Sequence, residues 1–307
     1  MFDFFKKKNP LVLGLAVGSA SVKLLELSRS HNQYCVESYA IVPITQAPDV
    51  IPHPIKQALF LSGTQLRCAA IAMPDSSVIS KIIQLDTTLS FEEMEATIMA
   101  ESEKHFHYPL HEVHFDFEIL GPSPTGQQQL DVLLMASRSE QVNERIALAN
   151  SAELTVNIVD IQSYALERAC HFLIAQTHNH NPEKAILISD IGHHIVSVMI
   201  LYKNKIIFSR TDEIQRPDMI IMHIQRARHF FFSSPQRQEI TYMLLMGGGS
   251  YSETLCSLLE TTLGIPASIV NPFTSMSVSP HVNHTALTND ARLLMTCLGL
   301  ALRSFDI

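Results

Sequence analysis

Three short glycine-bearing turns carry the groups in this chain best suited to gripping a phosphate. The first, Gly18-Ser19-Ala20-Ser21, offers backbone N–H groups and two hydroxyls, and Lys23 follows two residues on. The second is Gly192, with the carboxylate of Asp190 just ahead of it. The third, Gly247-Gly248-Gly249, leads into a segment that reads as a helix starting at Ser250, so an anion could meet a helix N-terminus there. A single glycine at a strand end is only a turn. The ordered trio points to a nucleotide site made of Gly18, Ser19, Ser21, Lys23, Asp190, Gly192, Gly247, Gly248 and Gly249. Asp190 is the one aspartate in these motifs, and Asp160 is a distant second candidate for a catalytic acid.

The histidines carry a different chemistry. His105, His107, His111 and His114 lie within ten residues, beside Glu112 and Asp116. Neutral imidazole is a good metal ligand. HEVH is not HExxH, however, and Pro109 interrupts the run, so the segment reads as a polar strand face and loop with no metal.

The elements that must position the glycine turns follow from the apolar pattern. Leu11 to Val17 is a strand ending at Gly18, and Val22 to Leu27 and Tyr34 to Val42 continue it as a three-stranded meander. A helix over Asp49 to Leu61 is broken by Pro52 and Pro54 in this reading, and strands follow at Cys68 to Met73 and Val78 to Leu85. Ser90 caps a helix with Glu93 completing a capping box, and the helix runs to about His105. Strands Val113 to Leu120 and Leu130 to Ser137, helix Ser139 to Ala152, strand Leu154 to Asp160 and helix Ser163 to Gln176 complete the first half.

The second half opens like the first. VLGLAVGSASVKLLEL (12–27) and ILISDIGHHIVSVMIL (186–201) are both strand, glycine turn, strand, with Gly18 and Gly192 in register 174 residues apart. Each copy continues as a meander and then a helix. Such a duplication predicts two similar α/β lobes facing a cleft. Tyr242 to Met246 then runs into the glycine trio, a helix follows to Leu263 with Gly264 as its C′ residue, and Ala291 to Leu300 is the last helix.

Composition limits what such a molecule does. The 307 residues are 46% hydrophobic, ample for two cores, and the net charge is −8 with a pI near 6.0. That balance argues against nucleic acid, and the basic clusters Lys6 to Lys8 and Arg216 to Arg237 read as solvated faces. Five scattered cysteines with no CxxC read as reduced thiols in a cytoplasmic protein. No apolar run reaches the roughly 20 residues that cross a bilayer. MFDFFKKK (1–8) lacks the pattern of a signal peptide and could at most touch an anionic membrane surface.

Beyond these readings, GLAVGSASVKLLELSR (14–29), YPLHEVHFDFEILG (108–121), DVLLMASRSEQVNER (131–145), VDIQSYALERA (159–169), LLMGGGS (244–250), VNPF (270–273) and GLALRSFD (299–306) together resemble the type IV pilus assembly protein PilM family, in order and over nearly the whole chain. The resemblance implies an actin-like ATPase fold of two ribonuclease H-like lobes. Residues 1–180 would form the first lobe, with a small subdomain inserted at about 76–155. Residues 181–285 would form a reduced second lobe, and 286–307 a C-terminal helix returning to the first. It also implies a function: a scaffold on the cytoplasmic face of the inner membrane that binds the N-terminal cytoplasmic tail of PilN and, through it, PilO. Homo-oligomerisation stays open. The groove walls would be the stretch 114–120 and the helix Ser90 to His105.

Three departures weaken the nucleotide site that the family implies. The family's first turn is Asp-x-Gly, where this chain has Ala16-Val17-Gly18, and the internal repeat aligns Ala16 with Asp190. Gln162 stands where the family commonly has Glu. Glu213 passes almost directly to the helix after Pro217, without the family's covering insertion. His193 and His194, in place of small hydroxyl residues, would also crowd a phosphate. Mg²⁺ needs hard oxygen ligands, so ATP and Mg²⁺ binding are expected to be weakened and catalysis absent. The competing reading is an actin-like protein that binds or hydrolyses ATP to regulate assembly; sugar kinase and filament former are weaker alternatives.

Overall fold

The computed structural model describes residues 11–31, 33–44, 52–106, 108–124, 126, 128–176, 181, 183–203, 205–235, 237–250 and 253–305. MFDFFKKK and His107 lie outside the described residues, as do the side chain of His105 and most of residues 177–183.

The first lobe is built on β1 (Leu13–Val17), β2 (Ser21–Ser30), β3 (Gln33–Pro43), α1 (Pro52–Ser62) and β4 (Cys68–Met73). The chain then enters β5 (Val78–Asp86), α2 (Phe91–Phe106), β6 (Val113–Pro122) and β7 (Gln129–Arg138), and returns through α3 (Ser139–Asn150), β8 (Thr155–Ile161) and α4 (Gln162–Ala175). The second lobe comprises β9 (Ala185–Ile191), β10 (Ile195–Tyr202), β11 (Lys205–Glu213), α5 (Ile220–Phe232), β12 (Ile240–Met246), α6 (Glu253–Leu263) and β13 (Ala267–Ile269). Strand β14 (Ser277–Val278) and helices α7 (His284–Asp290) and α8 (Met295–Leu302) follow.

The two main sheets repeat one topology. Their strand orders are β14-β3-β2-β1-β4-β8 and β11-β10-β9-β12-β13. In each, a glycine hairpin makes the first two strands antiparallel, and two further strands add in parallel beside the first. The register is also shared. Val17 faces Val22, and Ile191 faces Val196, the same pair 174 residues on. The central strand β9 is buried on both faces, which is why AILISDI lacks the alternation of a one-sided strand.

Helices α4 and α8 lie between the lobes. Their core joins Leu25 and Val36 of the first sheet to Ile188 and Met199 of the second, through Leu166, Cys170 and Leu298. Separate cores lie behind each sheet, under α1 and α3 in the first lobe and under α5 and α6 in the second. The α4–α8 approach is set by Gly299, where a Cβ would stand 1.7 Å from the Ala165 carbonyl oxygen. Gly14 does the same for α8 on β1, where a Cβ would lie 2.0 Å from the Cys297 carbonyl oxygen.

The small antiparallel sheet, in the order β5-β7-β6, is inserted between β4 and β8. Helix α2 covers its Val113, Phe115 and Phe117 face. The capping box forms as expected: the Ser90 N–H donates to Glu93 Oε2 at 2.8 Å, and the Glu93 N–H donates to Ser90 Oγ at 3.3 Å. One expectation needs correcting. Pro52 and Pro54 do not break a helix; they begin α1, in the first turn, where no intrahelical N–H bond is required. The last helix is also shifted, since Ala291–Leu293 is a 3₁₀ turn and α8 begins at Met295.

Candidate functional site

The ends of β1, β9 and β12 point into a cleft of about 690 Å³ between the lobes. Gly18, Ser19, Ser21, Lys23, Asp190, Gly192, Gly247, Gly248 and Gly249 all line it, so the structure brings the nine sequence-predicted residues together. The duplication extends to the turns. The Gly18 N–H donates to the Ser21 carbonyl at 3.0 Å, and the Gly192 N–H to the Ile195 carbonyl at 2.8 Å.

Packing within the chain explains part of the glycine trio. Gly247 has φ +84°, and a Cβ on it would lie 2.5 Å from Asp190 Oδ1 and 2.4 Å from the Ile191 carbonyl oxygen. A Cβ on Gly249 would lie 2.4 Å from Ile191 Cγ2, whereas at Gly248 the nearest atom is 3.6 Å away. The backbone of the third turn therefore closes directly on the end of β9. Ser250 closes the turn by donating its hydroxyl to the Gly247 carbonyl at 2.8 Å.

Asp190 is the carboxylate in the cleft lining. Gln162, the first residue of α4, donates Nε2 to Asp190 Oδ2 at 3.4 Å and so connects the lobes. Burial raises the Asp190 carboxyl above its ordinary range; Lys23 and the Gln162 bond oppose the shift, and Asp75, in the 3₁₀ turn after β4, adds to it. Ala16 pairs with Lys23 across the β1–β2 ladder and packs its methyl against the inter-lobe core. His193 and His194 sit exposed on the turn after Gly192, with ring centroids 4.4 Å apart.

The cleft lining offers a divalent cation one carboxylate, Asp190. Mg²⁺ demands several oxygen ligands or waters held by them. Here a methyl occupies the Ala16 position, and the Gln162 amide faces Asp190 with its nitrogen. Elsewhere, among the described residues, no three His, Cys, Asp or Glu side chains gather to hold a metal. His114 and Asp116 share one strand face, opposite Val113 and Phe115.

Two cleft residues escape sequence reasoning altogether. Arg145 reaches in from α3 and donates Nη1 to the Val17 carbonyl at 3.3 Å, and Arg292 enters from the turn before α8. Neither belongs to a glycine motif, and only the folding of α3 and α8 onto the strand ends brings them there. Among the described residues no helix is long and apolar enough to cross a membrane.

Comparison with known proteins gives this geometry its context. The family described as Type IV pilus assembly protein PilM matches residues 14–215 and 216–305. The chain is similar to a solved PilM-PilN type IV pilus biogenesis complex at 24% identity and a TM-score of 0.79, covering 97% of this chain and 100% of that one. It also matches a Bacteroides thetaiotaomicron protein of actin-like ATPase fold and unknown function, at 12% identity and a TM-score of 0.48 over 90% and 96% of the two chains. The cytoplasmic domain of EpsL, an inner-membrane component of the Vibrio cholerae type II secretion system, matches at 10% identity and a TM-score of 0.49 over 96% of each. The fold is the two-lobed actin-like one, with a small subdomain inserted in the first lobe. With the family match running through both lobes, the chain belongs to the type IV pilus assembly protein PilM family.

Proposed function

We propose that this chain is an assembly scaffold of the type IV pilus that captures the N-terminal cytoplasmic tail of PilN and does not hydrolyse ATP. The observation that carries the reading is the likeness, over both lobes, to the chain of a PilM-PilN complex. Through PilN the scaffold is linked to PilO and kept at the cytoplasmic face of the inner membrane.

The first lobe supports an extended-peptide mode of binding. Strand β8 is the terminal strand of its sheet, and Val159 on it is 39% exposed. The small sheet turns a second face away from α2, carrying His114, Asp116 and Glu118 of β6, Leu133 of β7 opposite Glu118, and Ile82 of β5 on the far side of Leu133. Ile82 is 57% exposed there. Helix α2 backs this sheet, with Phe91 stacked on Phe117 at 5.2 Å, so the open strand face is the better groove wall. An extended tail gains affinity from backbone pairing and from apolar side chains set into such a face.

The second reading, a nucleotide-binding regulator, is favoured by one observation: the three glycine turns meet in a single cleft. The loss of carboxylates around Asp190 speaks against hydrolysis. Removing one element of phosphoryl-transfer machinery commonly costs several orders of magnitude in rate. Calorimetry with a synthetic PilN tail peptide tests the scaffold reading. Saturable binding that Ile82→Asp weakens at least tenfold is expected. A tail peptide that fails to bind the folded chain would overturn it.

A further inference from the structure

One basic stretch of the second lobe takes no part in the cleft. Residues 219–238 contain no Asp or Glu, in a chain of net charge −8, and carry Arg226, Arg228 and Arg237. Most of the stretch is α5, which turns Ile220, Ile224, Ala227 and Phe231 into the core of the second lobe. Its outward face holds Met222, Arg226 and Phe230 at four-residue steps, with Phe232 on the other flank. Met222 is 45% exposed, Phe230 44% and Phe232 36%. None of these four lines the cleft; α5 meets it at Ile220, and Phe230 stands about 15 Å further along the helix. Guanidinium groups lie against the rings. Arg210 of β11 is 4.6 Å and Arg226 5.8 Å from the Phe230 centroid, and Arg228 is 5.3 Å from that of Phe232. The carboxylate beside them, Asp212, is taken by Arg210, which donates to it from Nε at 2.7 Å and Nη2 at 2.8 Å. No ion pair among the described residues includes Arg226, Arg228 or Arg237.

Exposed apolar side chains scattered singly need no explanation. Here they share one helix face with unpaired cations, and the two features together fit an anionic lipid surface. Rings and a thioether gain by leaving water at the headgroup boundary, while arginines lay their stems beside them and reach for phosphates. The face is a ridge on a single helix, so it suits a broad, yielding partner better than an inserted strand or helix, which needs a groove. We propose that Met222, Arg226, Phe230 and Phe232 form a lipid-contact face that lays α5 against the headgroups of an anionic bilayer. So small a face gives weak, reversible attachment. It gains weight in a chain that a peptide already tethers near the membrane, where the second contact is intramolecular. The proposal goes beyond capture of the PilN tail, which concerns the first lobe, and either can fail while the other stands.

Vesicle flotation of the full chain, without PilN, tests the face. The vesicles are phosphatidylcholine alone, or phosphatidylcholine with about one third phosphatidylglycerol. Binding to the anionic vesicles is expected, and about tenfold less to the neutral ones. About 0.5 M salt should release most of it. Arg226→Glu should weaken binding about tenfold through charge, and the double variant Phe230→Ser with Phe232→Ser about as much through lost insertion. Lys56→Glu makes the same charge change on α1 of the first lobe and should leave binding within about twofold of the parent. These side chains are exposed, and thermal unfolding of each variant establishes that it is folded. No binding to anionic vesicles, or equal binding to neutral ones, would overturn the proposal. So would folded α5 variants that bind like the parent, or a loss on Lys56→Glu as large as that on Arg226→Glu. Polyglutamate or duplex DNA that binds the chain in a way the two serine substitutions leave unchanged, and that displaces the vesicles, would reassign the face to a soluble polyanion and overturn it as well.

Discussion

Burial holds the Asp190 carboxyl above the usual carboxylate range, with Lys23 and the Gln162 amide pulling the other way. A folded-state pKa above the unfolded value means that the native state binds the proton more tightly. Stability is then lost as pH rises from the unfolded value, near 3.8, through the raised folded value. At neutral pH the ionised Asp190 should therefore cost stability, and Asp190→Asn should remove that cost while keeping an oxygen for Gln162. The variant should unfold at a higher midpoint than the parent at pH 7, and the gain should vanish below pH 3.8, where the carboxyl is protonated in both states. Thermal unfolding of both proteins across this pH range is the measurement. A midpoint several degrees lower for the variant at pH 7 would mean that Lys23 and Gln162 outweigh burial. At this scale the sequence was only partly legible. The internal repeat sets Ala16 in register with Asp190, so the difference between the two turns is visible in the sequence. The Gln162–Asp190 bond spans 28 residues and two lobes, and no local pattern encodes it.

Helix α4 and helix α8 cross so closely that their glycine has no substitute. Alanine is the better helix former by about 1 kcal/mol, yet at Gly299 its methyl would stand 1.7 Å from the Ala165 carbonyl oxygen. That overlap is with backbone, so relief requires the helices to part and to open the core they share with both sheets. Gly299→Ala should cost about 3 kcal/mol or more, and should show as a large fall in urea midpoint. A variant within 0.5 kcal/mol of the parent, a limit typical of surface positions, would show that the crossing has slack. Elements with strong local signals were legible in the sequence: the Ser90–Glu93 capping box, the strand Cys68–Met73, and Gly264, whose φ of +67° closes α6. Weak local signals failed. The short strands β13 and β14 form because neighbouring strands β12 and β3 offer them edges, and the seven-residue helix α7 depends on the Asn283 side chain accepting from the Ala286 N–H.

The whole molecule is a structural duplication in which Asp190 of the second copy stands in register with Ala16 of the first. That symmetry predicted two matching sheets, and their shared strand order and hairpin register meet the expectation. Charge in the cleft was not predictable, since Arg145 and Arg292 arrive from α3 and from the turn before α8. The architecture also bears on control. A nucleotide switch works only if the ligand binds two lobe arrangements with different affinity, and in a hydrolysing site a divalent cation supplies much of that difference. Here the lobes are already tied by the Gln162–Asp190 bond and by the continuous core of α4 and α8. Peptide affinity should therefore change by less than tenfold, about 1.4 kcal/mol, between EDTA and excess Mg²⁺-ATP. Steady-state phosphate release should not exceed a buffer control. Ala16→Asp alone should not create it, because Gln162 still turns an amide towards Asp190 and Glu213 is followed within four residues by the turn at Pro217. Calorimetry with the tail peptide in both conditions, and phosphate release by the parent and Ala16→Asp chains, decide the matter. A larger shift in affinity would mean that the cleft biases the first-lobe groove, with α4, which touches the cleft at Gln162 and turns Tyr164 to Ser80 of the small sheet, as the element that carries the signal.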